Sequence, residues 1–348
     1  MEQQRQQQPG SHAGRPAVIA VDVGNSKTDV ALVSAEGRVL AALRGPTTSH
    51  QQVGPEAAIG TLCGLVERAA RRGGLDPAAR PLAPVIAYGG AGIDFPADVR
   101  LVASGLRRTG LASNELVVND CLIGLRAGTD RHWGVCVICG SGLNCRGVAP
   151  DGRVATFDSL GAVSGDWGGG GDIGGAGLAA AVRAEDGRGP ATMLARTVPA
   201  LFDVARPRSL TAAIYRGRIP FARRLEITPL VFEAATAGDA VARAIIDHQA
   251  DEIAAWANAA IRRLRLQRRD PDVVLAGGVF GATDPAFYAR IDAGIRVVAP
   301  AARVSRLAAP PVLGAALLGL DHLGQGRTVA ETERRLREEM TASRLAVP

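Results

Sequence analysis

Three glycine turns in this chain each follow a short apolar run: Gly24 after Asp22-Val23, Gly140-Ser141-Gly142 after Val135 to Cys139, and Gly277-Gly278 after Val273 to Ala276. A glycine turn lets the main chain approach phosphate oxygens without a Cβ in the way and aims amide dipoles at negative charge. Singly, each turn is also ordinary strand-end chemistry. Together, with two of them in similar hairpins, they point to one phosphate-bearing ligand. Carboxylates stand at two strand ends. Asp22 opens the first turn, where it either shapes the turn or holds Mg²⁺ directly or through waters. Asp120 ends the run Leu116-Val117-Val118-Asn119, where it either caps the following helix or accepts a proton from an attacking hydroxyl. Lys27 and Thr28 offer side-chain donors to phosphate, although an exposed hairpin lysine needs no such role.

The elements that must position these groups are legible as periodicities. Val18 to Val23, Asp29 to Val33 and Arg38 to Leu43 read as a three-stranded meander. Glu56 to Arg72 has helical apolar spacing and stops at Gly73-Gly74, while Val85 to Tyr88 and Leu116 to Val118 read as strands. The meander then recurs: IAVDVGNSKTDVALVSAEGRV and VCVICGSGLNCRGVAPDGRV share strand, glycine turn, strand, acidic-Gly-Arg-Val hairpin and strand. A duplication this long predicts two similar lobes with a cleft between them rather than a solenoid. Gly161 to Gly177 holds nine glycines, after which Leu178 is expected to start an Ala-rich helix. Further helices are expected over 191–205, 209–215, 227–237 and 239–265, a strand over 273–276, and a small-residue helix over 313–320 after Pro310-Pro311. A charged tail helix, 331–344, carries no evident function.

Length suggests about two domains. The net charge of +6 comes from scattered basic residues, and the densest run, Arg262 to Arg269, has no interleaved aromatics. It therefore reads as a solvated helix end rather than a nucleic-acid surface. Five cysteines, an odd number with no secretory signal before them, imply reduced thiols in a cytoplasm. Residues 1–15 read as a polar, disordered leader, and no apolar run reaches the roughly eighteen residues that cross a membrane. Cys136 and Cys139 could suggest an iron–sulfur site. Three apart on a strand, they point to opposite faces and read better as small core residues.

The ordered motifs resemble the N-acetylglucosamine kinase group within the BadF/BadG/BcrA/BcrD ATPase family, over roughly Ala17 to Leu320. The resemblance implies a two-lobed α/β protein of the actin-like ATPase, ribonuclease H-like fold, with ATP and Mg²⁺ as cofactors. It makes Gly24, Asn25, Ser26, Lys27 and Thr28 a first phosphate loop, Gly140, Ser141 and Gly142 a second, and Gly277 with Gly278 part of an adenosine motif. Asp22 becomes the metal residue and Asp120 the catalytic base. Ser49, His50, Asn119, Asn144 and Asp166 become sugar contacts, joined by Trp167 as a ring that either stacks on the sugar or packs in the core. Two departures stand out. Ser49 replaces the family's usual Asn, and Trp167 to Asp172 replaces its Glu-Gly-Ser and aromatic pattern. The lobes implied are 16–119 with about 309–324, and 120–308, followed by a tail over 325–348. The activity implied is ATP-dependent phosphorylation of an amino sugar, N-acetylglucosamine to its 6-phosphate, with glucosamine or N-acetylmuramic acid as alternative acceptors. The partners are then small molecules, without nucleic acid or membrane, and a homodimer is among the assemblies allowed. The competing classes are a partner-activating ATPase and a non-catalytic sugar sensor.

Overall fold

The β-branched and alanine residues of Pro16–Val23 are buried on both faces, as a central strand requires. The computed structural model describes residues 14–345, so most of the expected leader, residues 1–13, lies outside the described residues. Strands β1 (Pro16–Val23), β2 (Lys27–Ser34), β3 (Val39–Pro46), β4 (Ala83–Gly90) and β5 (Ala112–Asn119) form one sheet in the order β3-β2-β1-β4-β5. The first three pair antiparallel, and β4 and β5 join parallel. Strands β6 (Gly134–Cys139), β7 (Leu143–Val148), β8 (Val154–Ala155), β9 (Asp272–Ala276) and β10 (Arg303–Arg306) form a second sheet in the order β10-β9-β6-β7-β8. Its topology repeats the first strand for strand, including the parallel pair.

The duplication extends to turn chemistry. Ser34 N bonds Arg38 O and Gly37 N bonds Ser34 O, and Ala149 with Arg153 and Gly152 makes the same two bonds. Gly37 and Gly152 both sit in the left-handed region, at φ 79° and 85°. The copies part at the strand end: β1 carries Asp22 where β6 carries Ile138.

Two compact units follow, one running to Ala127 and resuming at Ala308, the other spanning Gly128–Leu307. The boundary is eight residues later than the expected Asn119, so the helix Asp120–Gly128 begins in the first unit. The tail also belongs to that unit rather than standing apart, because Leu336, Met340 and Leu345 are buried in it. The small-residue helix, Val312–Leu323, packs close against its neighbours: a Cβ on Gly314 would lie 1.8 Å from Ile123 O.

Three expectations need correction. The helix expected from Leu178 starts within the glycine run, at Gly170, because those glycines let its backbone meet neighbouring backbone. The helix expected over 191–205 is confined to Leu194–Leu201, ending in a Pro199-led turn at Phe202. Helices Pro96–Thr109 and Pro285–Arg296 and strand β10 are additions. Edge strand β10 is mostly exposed, so it carries no apolar signal. No helix among the described residues is long and apolar enough to cross a membrane.

Candidate functional site

In the first unit the chemistry gathers at the carboxyl ends of parallel strands, where α/β sheets bind ligands. Asp22 is in register with Gly89, and Gly90 with Asn119, so the single strand β4 lies between the two acidic strand ends. Burial pushes the Asp22 carboxyl up to about 8, with Asp29 and then Asp120 adding repulsion, and Lys27 and Arg44 opposing it. Burial, followed by the charges of Asp22 and Asp120, likewise raises the Tyr88 hydroxyl. Asp29 is itself neutralised by a bidentate Arg44, at 2.6 and 2.8 Å. This Asp29–Arg44 pair escaped the sequence reading, since fifteen residues separate partners that only strand pairing brings together.

The expected first phosphate loop divides. Asn25, Ser26 and Lys27 are exposed at the turn, closed by Gly24 N bonding Lys27 O at 2.9 Å. Thr28 points inward instead: its hydroxyl accepts Thr48 N at 2.8 Å and lies 3.0 Å from Thr48 Oγ1. It positions the 47–50 segment rather than offering a donor to phosphate. Thr47 Oγ1 ties the same segment to Gly24 O at 2.7 Å. Ser49 Oγ and His50 Nδ1 are buried there with no hydrogen-bond partner among the described residues, so both suit a polar ligand. Asn119 is a correction. Its amide donates to Ile93 O and Asp94 Oδ1, and its Oδ1 accepts Cys121 N at 3.0 Å. Those bonds make it the cap of the helix that Asp120 begins, not a sugar contact.

In the second unit the turn after β6 is cradled by glycine. Gly170 N and Gly171 N bond Gly140 O and Ser141 O at 2.8 and 2.9 Å, so the helix Gly170–Glu185 holds the turn by its first amides. Gly169, at φ 87°, would bring a Cβ within 2.4 Å of Gly142, and Gly277, at φ 107°, one within 2.4 Å of Cys139 O. Gly140, Gly142 and Gly278 differ: a Cβ on any of them would meet nothing within 4 Å, and none has positive φ. The protein itself gives no reason for glycine at these three positions, whereas a phosphate or ribose lying on the backbone would. Beside Gly278 opens a cavity of about 720 Å³ walled by Phe232, Val279, Pro229 and Ala282, with Glu233 and Thr236 at its edge. Its size and apolar lining suit a nucleobase. The Thr228–Thr236 helix that supplies one wall was read only as a helix.

The profile of the BadF/BadG/BcrA/BcrD ATPase family matches residues 19–319. The chain belongs to this family. It is 29% identical over 265 residues to an N-acetylmuramic acid/N-acetylglucosamine kinase of Clostridium acetobutylicum, covering 75% of this chain and 85% of the relative. It is 27% identical over 314 residues to an N-acetyl-D-glucosamine kinase of Dictyostelium discoideum, covering 87% and 97%. Among solved structures, a proposed N-acetylglucosamine kinase from Chromobacterium violaceum superposes with a TM-score of 0.71 at 24% identity, over 87% of this chain and 99% of that one. This likeness establishes the fold, and the duplicated sheets are those of the actin-like ATPases.

In this member of the BadF/BadG/BcrA/BcrD family, the glycine-rich segment after Trp167 is held by side-chain hydrogen bonds. Asp172 Oδ2 accepts Gly168 N at 2.9 Å and Gln249 Oε1 accepts Gly169 N at 2.8 Å, fixing two glycines at the positive φ that other residues rarely adopt. Trp167 stacks on His248 with ring centroids 4.2 Å apart and packs against the unit's core. Asn144 Oδ1 accepts Ser159 Oγ at 2.7 Å, and Asp166 accepts Gly161 N at 3.1 Å and Ser164 Oγ, so both are built into the 159–166 segment. No cluster of three metal-binding side chains exists among the described residues, and burial pushes the Cys139 thiol up to about 12.

Proposed function

We propose that this chain transfers the γ-phosphate of ATP to a hydroxyl of an amino sugar, N-acetylglucosamine at O6 foremost, in the cytoplasm. The carboxylate pair at the strand ends of the first unit carries the reading: Asp22 stands in register with Gly89 of β4, and Asp120 follows Asn119, which is in register with Gly90. A binding module has no need of a base beside a metal-binding carboxylate. Asp22, crowded by Asp120 and Asp29, has the donor chemistry to hold Mg²⁺, which is bound through one or two carboxylates and retained waters. When bound, Mg²⁺ neutralises phosphate charge.

The remaining roles fall to the chain's own groups. Asp120 accepts the proton of the acceptor hydroxyl as its oxygen bonds to the γ-phosphorus and the bond from that phosphorus to the bridging oxygen of ADP breaks. In the second unit the turn Gly140–Gly142 holds phosphate oxygens and the cavity beside Gly278 takes the base; in the first, the exposed turn Asn25 to Lys27 offers donors to phosphate. In the first unit the buried Ser49 Oγ and His50 Nδ1 orient the sugar. Ser49, shorter than the usual Asn, widens the room around it.

A coupled ADP-release assay over N-acetylglucosamine, glucosamine, N-acetylmuramic acid, glucose and buffer alone tests the proposal. Turnover is expected with amino sugars, highest with N-acetylglucosamine. ATP hydrolysis equal in buffer and with every sugar would sink it.

A further inference from the structure

The segment beyond residue 319, where the family match ends, is bound into the helix that Asp120 begins. Arg126 on that helix is only 3% exposed. Its guanidinium donates to Asp321 at 2.8 and 3.3 Å and to Glu333 at 2.8 and 2.9 Å. Arg337 donates to Ala127 O at 2.6 Å and Arg126 O at 3.3 Å, satisfying carbonyls that the helix end leaves over, and it also bonds Glu333 at 2.7 and 3.0 Å. The helix bearing Glu333 and Arg337, Ala330–Glu339, is anchored on its other side to β3, where Glu339 Oε2 accepts Val39 N at 2.9 Å.

A buried ion network is a poor source of net stability, since desolvation offsets its attraction, but it fixes geometry closely. The helix Asp120–Gly128 has nine residues, fewer than the roughly 12–15 that hold a helix together in water. Its placement therefore depends on its packed neighbours, such as Gly314 against Ile123 O, and on what grips its two ends. Asn119 caps the first and Arg337 the last.

We propose that Arg126, Glu333 and Arg337 form a positioning brace, in which the C-terminal helix fixes the far end of the Asp120–Gly128 helix and so sets where the Asp120 carboxylate stands. The brace rests on the kinase reading above and on Asp120 as its base. It acts through Asp120 and touches no substrate.

The test places Glu333→Gln and Arg337→Ala in the full chain, each with Asp120 intact and with Asp120→Asn, and measures kcat, calorimetric Kd for ATP and N-acetylglucosamine, and melting temperature. With Asp120 intact, kcat should fall about tenfold while both Kd values stay within about twofold, because a small misplacement of a reacting group costs rate rather than binding. With Asp120→Asn, the same substitutions should leave the residual turnover unchanged. Equal fractional losses in both backgrounds, or an unchanged kcat beside a lowered melting temperature, overturn the brace alone. Near-normal turnover by Asp120→Asn itself overturns the base assignment and the brace with it. Should Arg337→Ala fail to fold, Arg337→Lys, which keeps charge and a donor, enters the same comparison.

Discussion

Asp120 follows β5 directly, and its helix is capped by Asn119, so the cap that the sequence left open to Asp120 is filled by its neighbour. Asp120→Asn keeps shape and removes basicity. Turnover should drop by about 10²- to 10⁴-fold, the usual worth of positioned proton transfer, while calorimetric sugar affinity and melting temperature hold. Near-normal kinase activity would reassign Asp120 and turn attention to Asp166. At this scale the sequence names residues but not orientations. The polar atoms of Thr28 and Asn119 are committed inside the unit. Nothing in a run of letters tells which way a hydroxyl at a strand's start turns.

The glycine turns divide into two physical kinds, and the elements around them predict different responses to a methyl group. Gly140→Ala meets open space in a backbone that alanine tolerates, so the unliganded protein should keep its stability or gain up to about 1 kcal/mol. ATP affinity should nevertheless fall. Gly277→Ala, at φ 107° and against Cys139 O, should lower stability by about 1–3 kcal/mol with or without nucleotide. Urea denaturation paired with ATP titration separates the two, and an unchanged ATP affinity in Gly140→Ala would remove that turn from the nucleotide site. The helix starting at Gly170 was missed for a related reason. Glycine weakens helices, and only the carbonyls of Gly140 and Ser141 awaiting its first amides make a helix start there worthwhile.

For the whole molecule, the brace ties residues 207 positions apart and gives the acid response a direction. Burial pushes the Glu333 carboxyl up, but hydrogen bonds from Arg126 and Arg337 outweigh it and take it from 4.5 down to about 2. A depressed carboxyl stabilises the fold fully above its unfolded value, and that contribution is lost as pH falls from about 4.5 towards 2. Denaturant titrations at descending pH should show this loss, on the order of 3 kcal/mol at most, and Glu333→Gln should flatten it. An identical acid slope in both proteins would remove Glu333 from the account. By itself the sequence determined the duplicated meander, the glycine turns, both strand-end carboxylates and the family, because strand periodicity, turn chemistry and motif order are local properties of the chain. The tertiary structure alone decided the unit boundary at Ala127, the Asp29–Arg44 pair, the inward turn of Thr28 and the Arg126–Glu333–Arg337 brace. Each of these is a contact between segments that only folding brings together, and a polar group's partner across such a contact leaves no periodicity in either segment.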